Sequence, residues 1–125
     1  MSQQTILYIE DNEYNRKIVR QLLSRTSYRL IEAVDGEAGV TLAQQEMPNL
    51  ILMDVQLPKM SGLDATRALK ADARTSDIPI IVITSFALSG DREKAAEAGA
   101  ASYLAKPYSP RELLALVRQY LPEAG

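Results

Sequence analysis

Short apolar runs alternate with amphipathic segments along the whole chain. The clearest runs are Thr5–Ile9, 50–53 and 78–84, and mixed apolar and polar runs occupy 28–34 and 101–105. Each run has the length of a strand. The clear runs do not alternate between apolar and polar residues, as a strand with one face in solvent would. Such runs are typical of strands buried on both faces, as in a parallel sheet. The pattern therefore predicts five strands.

Helical signals fill the intervals between these runs. Asn12, Ser61 and Ser109 are suited to cap helices, and Ser109 forms a capping box with Glu112 that includes a proline at the first helical position. After Asn12, apolar residues recur every three or four positions at Tyr14, Ile18, Val19, Leu22 and Leu23. Two further helices are predicted at about 37–45 and from Ser89-Gly90 to Gly99. Five strands alternating with five helices predict an α/β fold, a parallel sheet covered on both faces with right-handed crossovers.

Length and composition are those of one globular domain. The chain has 125 residues, 46% hydrophobic and 24% charged, so residues 1–125 are expected to form a single domain with no second domain attached. Its net charge of -2 gives no support for binding to nucleic acid or to an anionic membrane. No apolar segment is long enough to span a bilayer, which favours a cytoplasmic location.

The sequence contains no His and no Cys. Ser-His-Asp triads, cysteine nucleophiles and thiolate zinc sites are therefore excluded. A nucleophile would have to be a carboxylate, a hydroxyl or an amine. A metal site would have to be lined by oxygen atoms, which favours Mg²⁺, Ca²⁺ or Mn²⁺.

Polar residues follow four of the predicted strands at the ends where ligands bind in open α/β sheets. They are Glu10-Asp11 after the first strand, Asp54 after the third, Thr84 after the fourth and Lys106 after the fifth. Three carboxylates about 5 Å apart repel by about 3 kcal/mol per pair at an effective dielectric of about 20. Lys106 and a hard divalent cation would neutralise them. The set suits a phosphoryl group, with Asp54 as nucleophile and Thr84 as hydrogen-bond donor.

These residues resemble the receiver domain of two-component response regulators, and the resemblance covers about residues 5–121. It is carried by Glu10-Asp11-Asn12, Asp54, the 57–62 segment Leu-Pro-Lys-Met-Ser-Gly, Thr84, the 90–93 segment Gly-Asp-Arg-Glu, Gly99, Tyr103 and Lys106-Pro107. The fold implied is flavodoxin-like, with strand order 2-1-3-4-5.

The resemblance also implies a function. Asp54 would accept a phosphoryl group from a phosphohistidine on a histidine kinase or a histidine phosphotransfer protein. Mg²⁺ would be held by Glu10, Asp11, Asp54 and the backbone carbonyl of Gln56, and Lys106 would contact the phosphoryl oxygens. Thr84 and Tyr103 would move as a coupled switch. The Lys106–Pro107 peptide bond would be cis. Catalysis would be limited to the protein's own phosphorylation and dephosphorylation.

The resemblance extends to stand-alone receivers of the DivK and CheY types, of which the DivK-like type is favoured. The Glu-Asp-Asn-x-x-Asn start, completed by Asn15, is also similar to receivers attached to hybrid kinases. Phosphorylation would alter the 84–108 face and so control a downstream protein target. Phe86 and Leu88 are either core residues or an apolar patch for that target. The protein is expected to be a monomer or a weak dimer.

Three other functions are weighed against this one. A hydrolase of the aspartyl-phosphate type would need a second acid where Gln56 stands. A flavodoxin-like cofactor site would need a phosphate-binding loop of Ser, Thr and Gly after the first strand, but Glu10-Asp11-Asn12-Glu13 would repel a phosphate there. A pseudo-receiver that only scaffolds partners is disfavoured by the complete set of acids, Thr84 and Lys106.

Overall fold

The computed structural model describes residues 3–85 and 91–123. Within them the chain forms one parallel sheet of strands in the order β2-β1-β3-β4-β5, with helices following each strand. The strands are β1 Thr5–Ile9, β2 Arg29–Ala33, β3 Leu50–Asp54, β4 Ile80–Thr84 and β5 Ser102–Ala105. The helices are α1 Glu13–Leu23, α2 Gly36–Glu46, α3 Gly62–Ala71, α4 Asp91–Ala98 and α5 Pro110–Tyr120. The predicted fold class and strand order are confirmed.

The sheet separates two hydrophobic clusters because successive side chains of a strand point to opposite faces. In β1, Ile6 and Tyr8 join the cluster beneath α1 and α5, whereas Leu7 and Ile9 join the one beneath α2, α3 and α4. Every residue of β1, β3 and β4 is buried. The three central strands are therefore rigid supports for the residues at their carboxyl ends.

The predicted caps form. The side chains of Asn12, Ser61 and Ser109 each accept a hydrogen bond from the backbone N–H three residues later. Glu112 accepts in return from the Ser109 N–H at 3.1 Å, which completes the capping box. These contacts determine the residue at which α1, α3 and α5 each begin. They therefore fix the length of the loop between each helix and the strand that precedes it.

Two local predictions differ from the structure. β4 begins at Ile80 and not at Ile78, because Pro79 has no N–H to contribute to the sheet and only its carbonyl does so, accepting from Ile51 at 3.0 Å. On α1, Tyr14 and Ile18 are 71% and 42% exposed, although their spacing matches the buried Val19 and Leu23. Ile18 borders a groove and not the core.

Phe86, Leu88 and the predicted helix start at Ser89-Gly90 lie outside the described residues. Gly99 follows α4 with a positive φ of 103°, in agreement with its predicted role as a helix stop. None of the helices in 3–85 and 91–123 is long and apolar enough to cross a membrane.

Candidate functional site

Two buried acids lie side by side at the carboxyl edge of the sheet. Parallel pairing of Ile9 with Met53 places Glu10 next to Asp54. Glu10 is 1% exposed and Asp54 is 3% exposed, whereas Asp11 beside them is exposed to solvent. One carboxylate oxygen from each of the three residues lies within 4.8 Å of the others. The structure thus brings together the three acids that the sequence placed at one edge.

Lys106 joins this group from the end of β5. Its Nζ donates to Oε1 of Glu10 at 3.0 Å and to Oδ2 of Asp54 at 3.2 Å. The Lys106 side chain is 20% exposed, so these ion pairs are shielded from solvent and worth more than surface pairs. The Lys106–Pro107 peptide bond is cis, as the resemblance implied. Lys106 therefore bridges the two buried acids.

The carboxylate of Glu10 accepts hydrogen bonds from groups on several elements. Besides Lys106, the Tyr8 hydroxyl and the Asn15 side-chain amide each donate to Oε1 at 3.2 Å, and the Asn12 N–H donates to Oε2 at 3.2 Å. Sequence reasoning assigned no such role to Tyr8 or to the Asn15 side chain. The signal for Tyr8 was present, since it stands two residues before Glu10 in an apolar strand and so shares its face.

The buried acids have perturbed proton affinities. Burial, and then the hydrogen bond and charge of Glu10, raise the pKa of Asp54 from 3.8 to about 6. Burial also acts to raise the pKa of Glu10, but hydrogen bonds from Asp54 and Lys106 outweigh it and hold that pKa below its usual value. Burial would lower the pKa of the Lys106 ammonium, but Asp54 and Glu10 outweigh burial and raise it. Hydrogen bonds thus offset the cost of burial at Glu10, whereas at Asp54 burial and the charge of Glu10 prevail.

Asp11 differs from the other two acids because it is open to solvent. Although Asp11 is exposed, partial desolvation of its carboxyl, followed by the hydrogen bond and charge of Glu10, raises the pKa of Asp11 above its usual value. The charge of Glu10 therefore raises the pKa of both Asp11 and Asp54. A cation bound between the three acids would offset that charge.

Thr84 and Tyr103 occupy the adjacent strand ends. Thr84 is 1% exposed at the end of β4, and its carbonyl accepts from the Lys106 N–H at 2.7 Å. Tyr103 in β5 is half-buried, with the Arg92 guanidinium 5.6 Å from the centre of its ring. Both lie on strands that border Asp54 or Lys106, but their movement as a switch stays a prediction.

The loop after β3 folds back closely on Asp54. The Gln56 N–H donates to Oδ1 of Asp54 at 3.1 Å, and the Gly62 N–H donates to the Val55 carbonyl at 2.9 Å. A Cβ atom at Gly62 would lie 2.0 Å from the Asp54 carbonyl oxygen, closer than any side chain could be tolerated. Glycine at this position allows the loop to reach the acid. The proposed metal contact of the Gln56 carbonyl stays a prediction.

A largely apolar groove of about 770 Å³ lies between α1 and α5, beside the acids. It is lined by Ile18, Leu22 and Leu113 and reaches Lys106 and Tyr108. Ile18, Val19 and Leu22 of α1 belong to one wall. A surface beside the charged site is therefore available to an apolar partner.

Comparison with known proteins identifies the family. Residues 6–118 match the family model of the response regulator receiver domain. The chain belongs to this family. It is 38% identical over 120 residues to the polar-differentiation response regulator DivK of Brucella anthropi, a match that covers 96% of this chain and 98% of that protein.

Solved receiver structures are also similar to this one. The receiver domain of a sensor histidine kinase from Pseudomonas aeruginosa is 37% identical, with a TM-score of 0.87 over 95% of this chain and 98% of that one. The chemotaxis protein CheY4 of Vibrio cholerae is 25% identical, with a TM-score of 0.90 over 96% of this chain and 100% of that one. Similarity to both a DivK protein and the receiver of a sensor kinase agrees with the two resemblances drawn from the sequence.

The acids of this chain fit a hard divalent cation. Mg²⁺ takes oxygen ligands at about 2.0–2.1 Å, so two ligands of one ion lie at most about 4.2 Å apart. One carboxylate oxygen from each of Glu10, Asp11 and Asp54 lies within 4.8 Å of the other two, so these oxygens would move closer together to share one ion. The Pseudomonas aeruginosa receiver was crystallised with a magnesium ion coordinated in its active site cleft.

Proposed function

We propose that this receiver is a phosphoacceptor signalling protein in which Asp54 is phosphorylated in a Mg²⁺-dependent reaction. One observation supports this most directly: Lys106 contacts Glu10 and Asp54 at 3.0 and 3.2 Å, beside a third acid within metal-binding range. Family members generally act as signalling proteins. The acids, the cation and the neighbouring Thr84 are the groups that transfer of a phosphoryl group to a carboxylate requires.

In the proposed reaction, a carboxylate oxygen of Asp54 attacks the phosphorus of a phosphohistidine on a histidine kinase or phosphotransfer protein. The new O–P bond forms as the N–P bond breaks, and the histidine leaves with the bonding electron pair. Lys106 moves its ammonium onto the phosphoryl oxygens, and Thr84 donates a hydrogen bond to them. Glu10, Asp11, Asp54 and the Gln56 carbonyl would hold Mg²⁺, which would supply the remaining positive charge. Nothing in this scheme turns over an external substrate.

The phosphodonor would dock on the groove between α1 and α5. The groove is largely apolar, carries the exposed Ile18 and reaches Lys106, so a partner seated there would have its histidine within reach of Asp54. A downstream target would bind the 84–108 face when Asp54 is phosphorylated. Phe86 and Leu88, the apolar residues suggested for that contact, lie outside the described residues.

We expect Mg²⁺ and acetyl phosphate to add one phosphoryl group to the wild-type protein and none to Asp54→Ala. Intact mass spectrometry measures the gain directly. Asp64→Ala is the matched control, because Asp64 is an exposed acid on α3 that pairs with Arg67, and it should gain the group as the wild type does. An equal gain in Asp54→Ala, or no gain in the wild type with Mg²⁺, would overturn the proposal.

We also expect phosphorylation to move Thr84 towards the phosphoryl oxygens and the Tyr103 ring into the space that Thr84 leaves. Phosphorylation replaces the single charge of the Asp54 carboxylate with a phosphoryl group that carries nearly two negative charges, and these draw the Thr84 hydroxyl. A difference of about 1–3 kcal/mol in its contacts is enough to shift such an equilibrium. NMR chemical shifts of both residues, before and after phosphorylation, report the change. Unchanged shifts at both positions would contradict the switch but not the phosphorylation.

A further inference from the structure

A phenol lies inside the parallel sheet, directly behind the acids. Tyr8 is fully buried in the middle of β1, among the aliphatic side chains beneath α1 and α5. A buried hydroxyl needs a hydrogen-bond partner, and that of Tyr8 donates to Oε1 of Glu10 at 3.2 Å. The side chains share one face of β1 because they are two residues apart. The hydroxyl of Tyr8, a core residue, thus donates to Glu10, an acid of the proposed metal site.

The other donors to Glu10 differ from Tyr8 in how deeply their hydrogen bonds are buried. The contacts from the Asn12 N–H and the Asn15 side-chain amide are only partly buried, whereas that from the Tyr8 hydroxyl is buried. Lys106 donates to Asp54 as well as to Glu10, and in the proposed reaction it moves to the phosphoryl oxygens. Tyr8 is the donor whose ring is fully buried in the core, so its position does not depend on the phosphoryl group.

Glu10 has particular need of such a contact. A glutamate side chain has one more rotatable bond than an aspartate, and ordering it costs more conformational entropy. Donors around a metal-binding side chain orient it and are a substantial part of metal affinity. Burial, and then Tyr108 and Glu10, raise the pKa of Tyr8, so its phenol remains a donor at physiological pH.

We propose that Tyr8 is a positioning residue for the metal site: its buried hydroxyl holds the Glu10 carboxylate in the orientation that places it among the other two acids. This inference rests on the proposed Mg²⁺-dependent function. It assigns to a residue of the hydrophobic core a part in setting the Mg²⁺ affinity.

Tyr8→Phe tests the inference, since it removes the hydroxyl and keeps the ring. We expect its dissociation constant for Mg²⁺, measured by titration calorimetry of the full chain with MgCl₂, to rise about tenfold. In the acetyl phosphate reaction, the Mg²⁺ concentration for half-maximal rate should rise by the same factor. The rate at saturating Mg²⁺ should stay close to that of the wild type, because Asp54, Lys106 and Thr84 are unchanged.

Tyr28→Phe is the matched control. Tyr28 belongs to the same hydrophobic cluster, and its buried hydroxyl donates to the Leu121 carbonyl, away from the acids. It should bind Mg²⁺ as the wild type does. Thermal unfolding of both variants checks that each is folded under the conditions of the titration.

Each outcome decides between the two proposals. Wild-type affinity in Tyr8→Phe, or an equal loss in Tyr28→Phe, overturns the positioning role and leaves the proposed function standing. A wild-type protein that binds no Mg²⁺ overturns the metal-dependent function, and the role of Tyr8 with it. Weakened binding confined to Tyr8→Phe, with the rate at saturating Mg²⁺ retained, supports the inference.

Discussion

Asp54→Asn should raise the free energy of unfolding at neutral pH, in the absence of divalent cations, by about 2–3 kcal/mol. Asp54 is 3% exposed, and its pKa is raised from 3.8 to about 6 by burial and by Glu10. A shift of about two pKa units corresponds to about 3 kcal/mol of destabilisation by the charged form. Asparagine removes that charge and keeps an oxygen that can accept from Lys106. Urea unfolding with EDTA present measures the difference.

The pH dependence has a definite sign. Because the folded pKa of Asp54 is raised, its favourable contribution is fully present below the unfolded value of 3.8 and is lost as the pH rises through about 6. Glu10, whose pKa is lowered, contributes in the opposite sense but is present in both proteins. The difference between Asp54→Asn and the wild type should therefore grow from about pH 4 to about pH 6 and then level off.

Exposed acids provide the control for this experiment. Asp64→Asn removes a charge whose side chain is 64% exposed, and it should change the free energy of unfolding by less than about 1 kcal/mol. Saturating Mg²⁺ should stabilise the wild type more than Asp54→Asn, since the variant lacks one anionic ligand. Should Asp54→Asn prove less stable than the wild type at neutral pH, the crowding of charge at this site has been overestimated.

Lys106→Met should have the largest effect on stability, a loss of about 3–5 kcal/mol at neutral pH without divalent cations. The substitution removes the ammonium 3.0 Å from Glu10 and 3.2 Å from Asp54 and leaves two carboxylates buried beside each other. Lowering the pH should shrink the loss, because one carboxyl group can then take a proton. Mg²⁺ should restore part of it by supplying positive charge. Urea unfolding at several pH values, with and without MgCl₂, measures both effects.

Lys59→Met is the matched control for Lys106→Met. Lys59 has a side chain 67% exposed, and its Nζ lies 3.9 Å from Asp35. Removing that ammonium should cost less than about 1 kcal/mol, as for other surface pairs. Equal losses in the two variants would show that Lys106 has no special electrostatic role.

The fold could be predicted from the sequence because its signals are local and repeated. Apolar runs of strand length, separated by capped amphipathic helices, specify a parallel sheet, and the right-handed crossover rule leaves few arrangements of it. The predicted start of β4 was wrong because of Pro79. This residue is apolar enough to extend the run, but it lacks the N–H that a central strand needs. Tyr14 and Ile18 show a second limit, since helical spacing does not distinguish side chains that pack on the core from those that stay exposed.

The candidate site could be located from the sequence but not described in full. Polar residues at the ends of four strands were enough to expect Glu10, Asp54 and Lys106 to meet. The short contacts from Lys106, which decide how the charge is shared, depend on side-chain orientations that residue spacing does not specify. Tyr8 was overlooked because an aromatic residue in an apolar run is usually only part of the core, and its hydroxyl matters here because of what lies two residues later.

The bridge made by Lys106 has a consequence for protein synthesis. The acids come from the first half of the chain, whereas their ammonium partner follows the last strand. A ribosome that has translated as far as Ala105 has made every carboxylate of the pocket but not the ammonium that bridges Glu10 and Asp54. In a nascent chain of that length, Lys106 cannot yet offset the repulsion between the two carboxylates.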